Sequence, residues 1–243
     1  STETDPKVAE VVRSANRKLT HLFVTSQAVK PFYEEAFAVP PERIYPTGIP
    51  VTDIYFDEER ICQRKSSFYQ KYPELASKKI LLYAPTFRRT DEENRQIMDR
   101  FDAERIHQIL GDEWVILIRM HPKFPVENLP QNKYCYNMTD YNDITDLYLV
   151  SDLFITDYSS SVVEYALLDK PILLFAYDLA EYDRGFYFDY ENMMPGQIAH
   201  TQTELYELLQ NNCDNLPKRQ NFVKFQYDNM KGDACGRILD ILG

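Results

Sequence analysis

Glycine is scarce in this chain: there are 7 in 243 residues, and no two stand in a G-x-G pair. The dinucleotide fingerprint and the P-loop both need backbone without Cβ close to phosphate, so both are excluded. Cysteine is scarcer still. Cys62, Cys135, Cys213 and Cys235 lie at least 22 residues apart, which offers neither zinc nor redox spacing. So few cysteines in so large a chain fit a reduced compartment better than a disulfide framework. The histidines His21, His107, His121 and His200 are equally scattered, and no metal site is expected. No apolar run approaches the roughly 20 residues of a membrane-spanning helix. The longest runs, at 80–84, 115–118 and 172–176, suit buried strands. The first five residues, Ser1-Thr2-Glu3-Thr4-Asp5, are acidic and lack the apolar core of a signal peptide. A first residue other than Met reads as a cut into a longer chain. Positive charge is also short, with 27 Lys+Arg against 38 Asp+Glu and a net charge of -11. That balance argues against a general nucleic-acid binder, which needs a cationic excess to displace counterions.

What is present is an ordinary globular composition, 44% hydrophobic and 27% charged, so global disorder is excluded. The chain is long enough to bury a substantial core. Apolar patterning predicts strands at 21–25, 44–47, 79–84, 114–120, 133–137, 152–156 and 171–175. Between them it predicts helices at 7–19, 26–37 (capped by Ser26), 57–69, 99–110 (ended by Gly111), 142–150 and 159–168. A polar loop is expected over 88–95, and helices near 202–211, 217–229 and 233–242 close the chain. Strands alternating with helices through short connections imply βαβ units, and so an α/β fold with a doubly wound parallel sheet. No linker, repeat or low-complexity tract divides it. In such sheets ligands bind beyond the carboxyl ends of the strands, so polar residues that directly follow a strand are the candidates.

Three strand ends qualify. The first is Ala84-Pro85-Thr86-Phe87-Arg88-Arg89, a proline-stiffened turn with a hydroxyl and two cations. The second is Arg119-Met120-His121-Pro122. Here a guanidinium can bind phosphate bidentately, and an imidazole can donate to an oxyanion or carry a proton. The third is Thr156-Asp157-Tyr158-Ser159-Ser160-Ser161, followed by Glu164. A helix starting there presents N–H groups and positive dipole potential to an anion, serine hydroxyls add donors without bulk, and Ser160 and Glu164 share a face at i and i+4. The carboxylate can take ribose hydroxyls while phosphates sit at the helix end. Each stretch has a plain structural alternative: a turn with solvated arginines, a strand end with a satisfied histidine, or a serine cap with Glu164 as its capping-box partner. No hydrolase elbow, H-E-x-x-H motif or Cys-His pair emerges.

In this order the three stretches resemble the CDP-glycerol glycerophosphotransferase family, the teichoic acid primases and polymerases. The carrying residues are Tyr83-Ala84-Pro85-Thr86-Phe87-Arg88, Ile118-Arg119-Met120-His121-Pro122 and the run from Ser151-Asp152-Leu153 through Thr156-Asp157-Tyr158 to Ser159-Ser160-Ser161. Glu164-Tyr165, Leu168-Asp169-Lys170-Pro171-Ile172, Gly48-Ile49-Pro50-Val51-Thr52-Asp53, Tyr177-Asp178-Leu179, Tyr182 and Arg184-Gly185 join them. The resemblance implies a GT-B architecture, with residues 1–243 as its C-terminal, Rossmann-like nucleotide-binding domain and the N-terminal acceptor domain lying outside them. It implies a CDP-polyol donor, most simply CDP-glycerol, and no cofactor or metal. Pro85 and Thr86 would line the nucleotide site, with Arg88 and Asp157 as further contacts. Arg119 and His121 would meet the pyrophosphate, His121 stabilising the departing CMP as a donor aimed where charge grows. Ser159 and Ser160 would hold phosphate, and Glu164 the ribose.

The acceptor would be a lipid-linked or growing polyol-phosphate chain in teichoic acid or capsule synthesis. The full protein would then be cytoplasmic and peripheral on the inner membrane face, touching the membrane through its absent N-terminal part, with no nucleic-acid partner and an open oligomeric state. The family's proposed general base, a histidine, would also lie in that part, so residues 1–243 alone would bind donor without transferring it. One departure stands out: Val51 occupies the place of an arginine in the family's G-x-P-R-T-D motif. Two other readings stay open. One is a GT-B glycosyltransferase or epimerase using a sugar nucleotide, and the other is a non-catalytic nucleotide-binding module of a larger synthase.

Overall fold

The structure is a computed structural model, and it describes residues 6–121, 129–182, 185–186, 188–211, 214–228 and 230–243. In chain order the elements are α1 (Pro6–Asn16), β1 (Leu22–Val24), α2 (Lys30–Phe37), β2 (Ile44–Pro46), α3 (Glu58–Lys71), β3 (Lys79–Tyr83), α4 (Asp91–Arg100), α5 (Ala103–Leu110), β4 (Trp114–Ile118), β5 (Cys135–Asn137), α6 (Ile144–Val150), β6 (Leu153–Thr156), α7 (Ser161–Tyr165), β7 (Ile172–Phe175), α8 (Tyr190–Met193), β8 (Gln197–Ala199), α9 (Gln202–Gln210), α10 (Leu216–Tyr227) and α11 (Ala234–Leu242). Pro122, Arg184 and Cys213, named above, lie outside the described residues.

Six strands form one parallel sheet in the order β5-β4-β3-β6-β7-β8. The chain enters at the centre on β3, winds outward through β4 and β5, then returns to β6 on the other side of β3. The topological switch point therefore lies between β3 and β6, where Leu82 faces Phe154 in register, and a crevice opens beyond their carboxyl ends. The unbroken apolar runs are explained by cover on both faces. Ile80, Leu82, Leu117, Phe154 and Leu174 pack with Phe68 of α3, Leu147 of α6, Tyr165 of α7 and Phe222 of α10. Leu81, Tyr83, Ile116, Ile155 and Leu173 pack with Ile97 of α4, Ile106 of α5 and Leu205 of α9 on the other face. The doubly wound reading is thus the observed fold.

Beside it lies a second, two-stranded parallel sheet, β1 with β2. It has its own small core of Val24, Val29, Val39 and Ile44. The expected Ser26 bond is present but the regular helix starts later than expected: Ser26 Oγ accepts from Val29 N–H at 3.3 Å, and α2 itself begins at Lys30 with Val29 at its N-cap. The same hydroxyl donates to the Phe225 carbonyl at 2.7 Å, tying the small sheet to α10.

Three further expectations are corrected. The supposed loop at 88–95 contains the start of α4, where Thr90 and Glu93 form a capping box. The helix expected over 99–110 is two helices, because Asp102 caps a new one by accepting from Arg105 N at 2.9 Å. The helix expected over 159–168 is α7 followed by a 3₁₀ turn, Ala166–Leu168. Patterning also missed β8, three residues long with polar Gln197 at its start.

Candidate functional site

The three stretches converge at the carboxyl ends of β3, β4 and β6. Backbone pairing sets this up. Arg119 N donates to Tyr83 O at 2.9 Å and Ala84 N to Ile155 O at 3.1 Å, so each strand end is fixed against its neighbour. A hollow of about 200 Å³ opens there, lined by Ala84, Pro85, Arg119, Met120, His121, Ile144, Ser159 and Ser161. A second, larger hollow measures about 530 Å³. Ser160, Val163 and Glu164 line it from α7, opposite Phe32, Tyr33 and Phe37 of α2 and Phe225 of α10. Of the residues singled out in the sequence, Pro85, Arg119, His121 and Ser159 are therefore together, while Ser160 and Glu164 face the second hollow.

Arg119 is half-buried. Its Nη1 donates to Met138 O at 3.2 Å and to Tyr141 O. Among the described residues it has no carboxylate partner at ion-pair distance. Burial pulls its pKa down, yet a guanidinium keeps its charge at any physiological pH. Two carbonyls thus aim a cation that has no carboxylate in contact among the described residues, with Asp143 and Asp140 acting on it only from a distance. The His121 ring packs against Phe87, with centroids 4.4 Å apart.

Ser159 Oγ donates to Ser161 Oγ at 2.9 Å and accepts from Ser161 N at 3.2 Å. Ser160 sits at the N-cap position of α7 without a side-chain cap bond. Ser160 therefore does not cap α7, whereas Ser159 satisfies the first N–H of the helix. Glu164 is not a capping-box partner either: its Oε2 accepts from the Tyr55 hydroxyl at 3.0 Å. Burial pushes the Glu164 carboxyl up, and the Tyr55 hydrogen bond opposes that shift.

Arg88 and Asp157 are placed differently from what their motifs suggest. Arg88 is 8% exposed and its guanidinium is spent internally. Nε and Nη2 bridge Asp178 at 2.7 and 3.0 Å, Nη2 also reaches Asp157 at 2.9 Å, and Nη1 donates to Thr86 O at 2.5 Å. Burial pulls the Arg88 pKa down, but the bonds and charges of Asp178 and Asp157 outweigh it and the net direction is up. Asp157 is 2% exposed and also accepts from the Thr86 and Tyr158 N–H groups at 2.8 and 2.6 Å. Both side chains hold the loop after β3 onto the loop after β6. Thr86 gives its N–H to that clamp, while its Oγ1 is buried without a hydrogen-bond partner among the described residues.

The Gly48–Asp53 motif makes contacts within the fold. Gly48 adopts φ +80°, which favours glycine, and a Cβ there would sit 3.2 Å from Ala234. Asp53 accepts from Ala234 and Cys235 N–H at 2.8 and 3.0 Å, satisfying the first turn of α11. Val51 points outward, 48% exposed, and lines neither hollow.

Sequence reasoning missed Ile144 and Tyr55, and it quoted Ser161 and Asp178 without giving either a role. The strand-end rule could have given Asp178 one, since it follows β7 closely. Nothing local marks Tyr55, which meets Glu164 across 109 positions of sequence. Among the described residues no group of three or more His, Cys, Asp and Glu is placed to hold a metal ion, and no helix is long and apolar enough to cross a membrane.

Comparison with known proteins gives this geometry a context. The chain is 35% identical over 231 residues to the teichoic acid poly(ribitol-phosphate) polymerase of Bacillus spizizenii, covering 93% of this chain and 37% of that protein. It is 35% identical over 183 residues to the teichoic acid glycerol-phosphate transferase of Staphylococcus aureus, covering 73% of this chain and 47% of that protein. A solved structure of the wall teichoic acid polymerase TagF, soaked with CDPG, superposes with a TM-score of 0.79 at 26% identity, over 99% of this chain and 61% of that one. The chain thus spans less than two thirds of each of these proteins. The likeness in fold supports the α/β, Rossmann-like GT-B assignment. Residues 1–242 match one family as a whole, and the chain belongs to it: CDP-glycerol:poly(glycerophosphate) glycerophosphotransferase.

Proposed function

We propose that residues 1–243 are the nucleotide-binding part of a transferase that moves a polyol phosphate from a CDP-polyol to a lipid-linked or growing polyol-phosphate acceptor in teichoic acid synthesis. The observation that carries this reading is Arg119. It is a cation held by two carbonyls, without a carboxylate partner among the described residues, beside His121 and Ser159 at the switch point of a parallel sheet. A pyrophosphate supplies the charge that such a group lacks. In-line attack of an acceptor hydroxyl on the donor's β-phosphorus breaks its bond to the bridging oxygen, and CMP departs with the electron pair. Arg119 and His121 act as donors towards that growing charge, Ser159 and Ser160 as phosphate contacts and Glu164 as the ribose contact. No cofactor or metal is required by this scheme. The attacking hydroxyl's proton goes to a base on polypeptide outside these residues, which also carries the contact with the cytoplasmic membrane face.

A thermal-shift panel of CDP, UDP, GDP and ADP on this chain tests the reading, because a ligand that binds only the folded state raises the midpoint. The largest rise is expected with CDP. A larger rise with UDP assigns the site to a sugar nucleotide instead, and comparing CDP-glycerol with CDP-ribitol identifies the polyol.

A further inference from the structure

We infer that Tyr55 is the positioning residue for Glu164, and that the Gly48–Asp53 motif serves the donor site through it. The inference rests on the reading of Glu164 as the ribose contact and extends it to a residue outside every stretch singled out in the sequence. Tyr55 is the next-to-last residue of the 3₁₀ turn Pro50–Phe56, two residues after Asp53. Asp53 ties that turn to α11, Thr52 Oγ1 closes it onto Ile49 O at 2.7 Å, and Gly48 permits the close approach to Ala234. The turn is therefore fixed at its start and middle, and its last buried side chain is Tyr55, 8% exposed with its ring in the main core.

From there the hydroxyl reaches Glu164 Oε2 at 3.0 Å. Burial pushes the Tyr55 phenol far above the ordinary range, and the Glu164 charge adds to the shift. The hydroxyl thus stays protonated and is the donor, and the carboxylate accepts. Glu164 has no cation beside it among the described residues, and Oε1 has no hydrogen-bond partner there. One oxygen is held and the other is left for a ligand in the hollow lined by Glu164 and Ser160. Without the phenol, a half-buried carboxylate would lose its one hydrogen-bond donor among the described residues and be free to rotate about its last torsion. The other titratable groups facing Glu164 are Asp143 before α6, Tyr148 of α6 and Tyr227 of α10. Both phenols are pushed up by burial, so they stay neutral where Glu164 titrates, and Asp143 only adds to the upward push on Glu164.

Calorimetry of CDP binding to this chain and its Tyr55→Phe variant tests the inference, since phenylalanine keeps the ring and removes the donor. Affinity is expected to fall about 10- to 150-fold, the worth of one charge-assisted hydrogen bond. The acid limb of the binding profile should also move to higher pH, because losing a donor to the carboxylate disfavours its charged form. A 2′,3′-dideoxy CDP analogue should bind both proteins alike, and Tyr55→Phe should cost nothing further in a Glu164→Gln background. Placing 3-fluorotyrosine at position 55 guards against a folding defect. It preserves shape and strengthens the donor, so the same limb should move to lower pH. Equal CDP affinity and an unmoved limb in both variants overturn this inference alone. A wild-type chain that binds no nucleotide overturns the functional reading and this inference with it.

Discussion

The loops after β3 and β4 each present an arginine to the same end of the sheet, and the fold treats the two in opposite ways. Arg88 enters a polar lattice in which each donor direction meets Asp157, Asp178 or a carbonyl, and it is buried with them. Arg119 meets two carbonyls and no carboxylate among the described residues, and it remains half-exposed in a hollow with His121 and Ser159. A charge satisfied inside the protein builds the frame. A charge held in place without a carboxylate in contact is available to an anion. The comparison reads the roles of the two arginines from their partners, where their positions in sequence read the same.

The largest expected effect is on the frame. Arg88→Ala leaves Asp157 and Asp178 facing each other without their cation, and breaking a buried pair in this way costs about 3–5 kcal/mol. Urea denaturation should show the loss, and a fall below about 1 kcal/mol would break the comparison by making Arg88 dispensable to the fold. Arg119→Ala should do the reverse. CDP affinity should drop by about 1.5–3 kcal/mol, the range for hydrogen bonds to a charged group, with stability changed by about 1 kcal/mol at most. If Arg119→Ala unfolds the chain and leaves affinity untouched, the two arginines have been assigned the wrong way round.

Much of this was legible in the sequence, and what was not has physical causes. The inner strands of the main sheet, β3, β4, β6 and β7, announce themselves as largely apolar runs because both faces are covered. The serine run was readable because a strand end followed by small hydroxyl residues has few structural uses. The beginning of α4 was hidden, since Asp91-Glu92-Glu93-Asn94-Arg95 looks like a solvated loop until Thr90 and Glu93 are read as a capping box. The fates of Arg88 and Arg119 were not legible at all. The partners of Arg88 stand 69 and 90 residues away, and no local pattern states which strand ends will meet. The same holds for Tyr55 and Glu164.

Asp53 supplies the smallest effect and extends the comparison to an acid. It stands in one of the motifs that carry the family resemblance, yet its carboxylate is spent on the Ala234 and Cys235 N–H groups, like Arg88 among its aspartates. Burial pushes its pKa up, but those backbone bonds and the Arg237 charge outweigh it, and the net direction is below the ordinary 3.8. A carboxylate whose folded pKa is depressed stabilises the fold above its unfolded value and loses that contribution as pH falls through the folded one. Asp53→Asn should therefore cost about 0.3–1 kcal/mol at neutral pH, the worth of a charge at a helix N-terminus. The difference from wild type should hold steady between pH 5 and 8 and close at the acid end, below 3.8. CDP affinity should be unchanged throughout. A binding loss larger than the stability loss would move Asp53 out of the frame and into the site, and would show that internal satisfaction of a charge does not by itself exclude it from ligand contact.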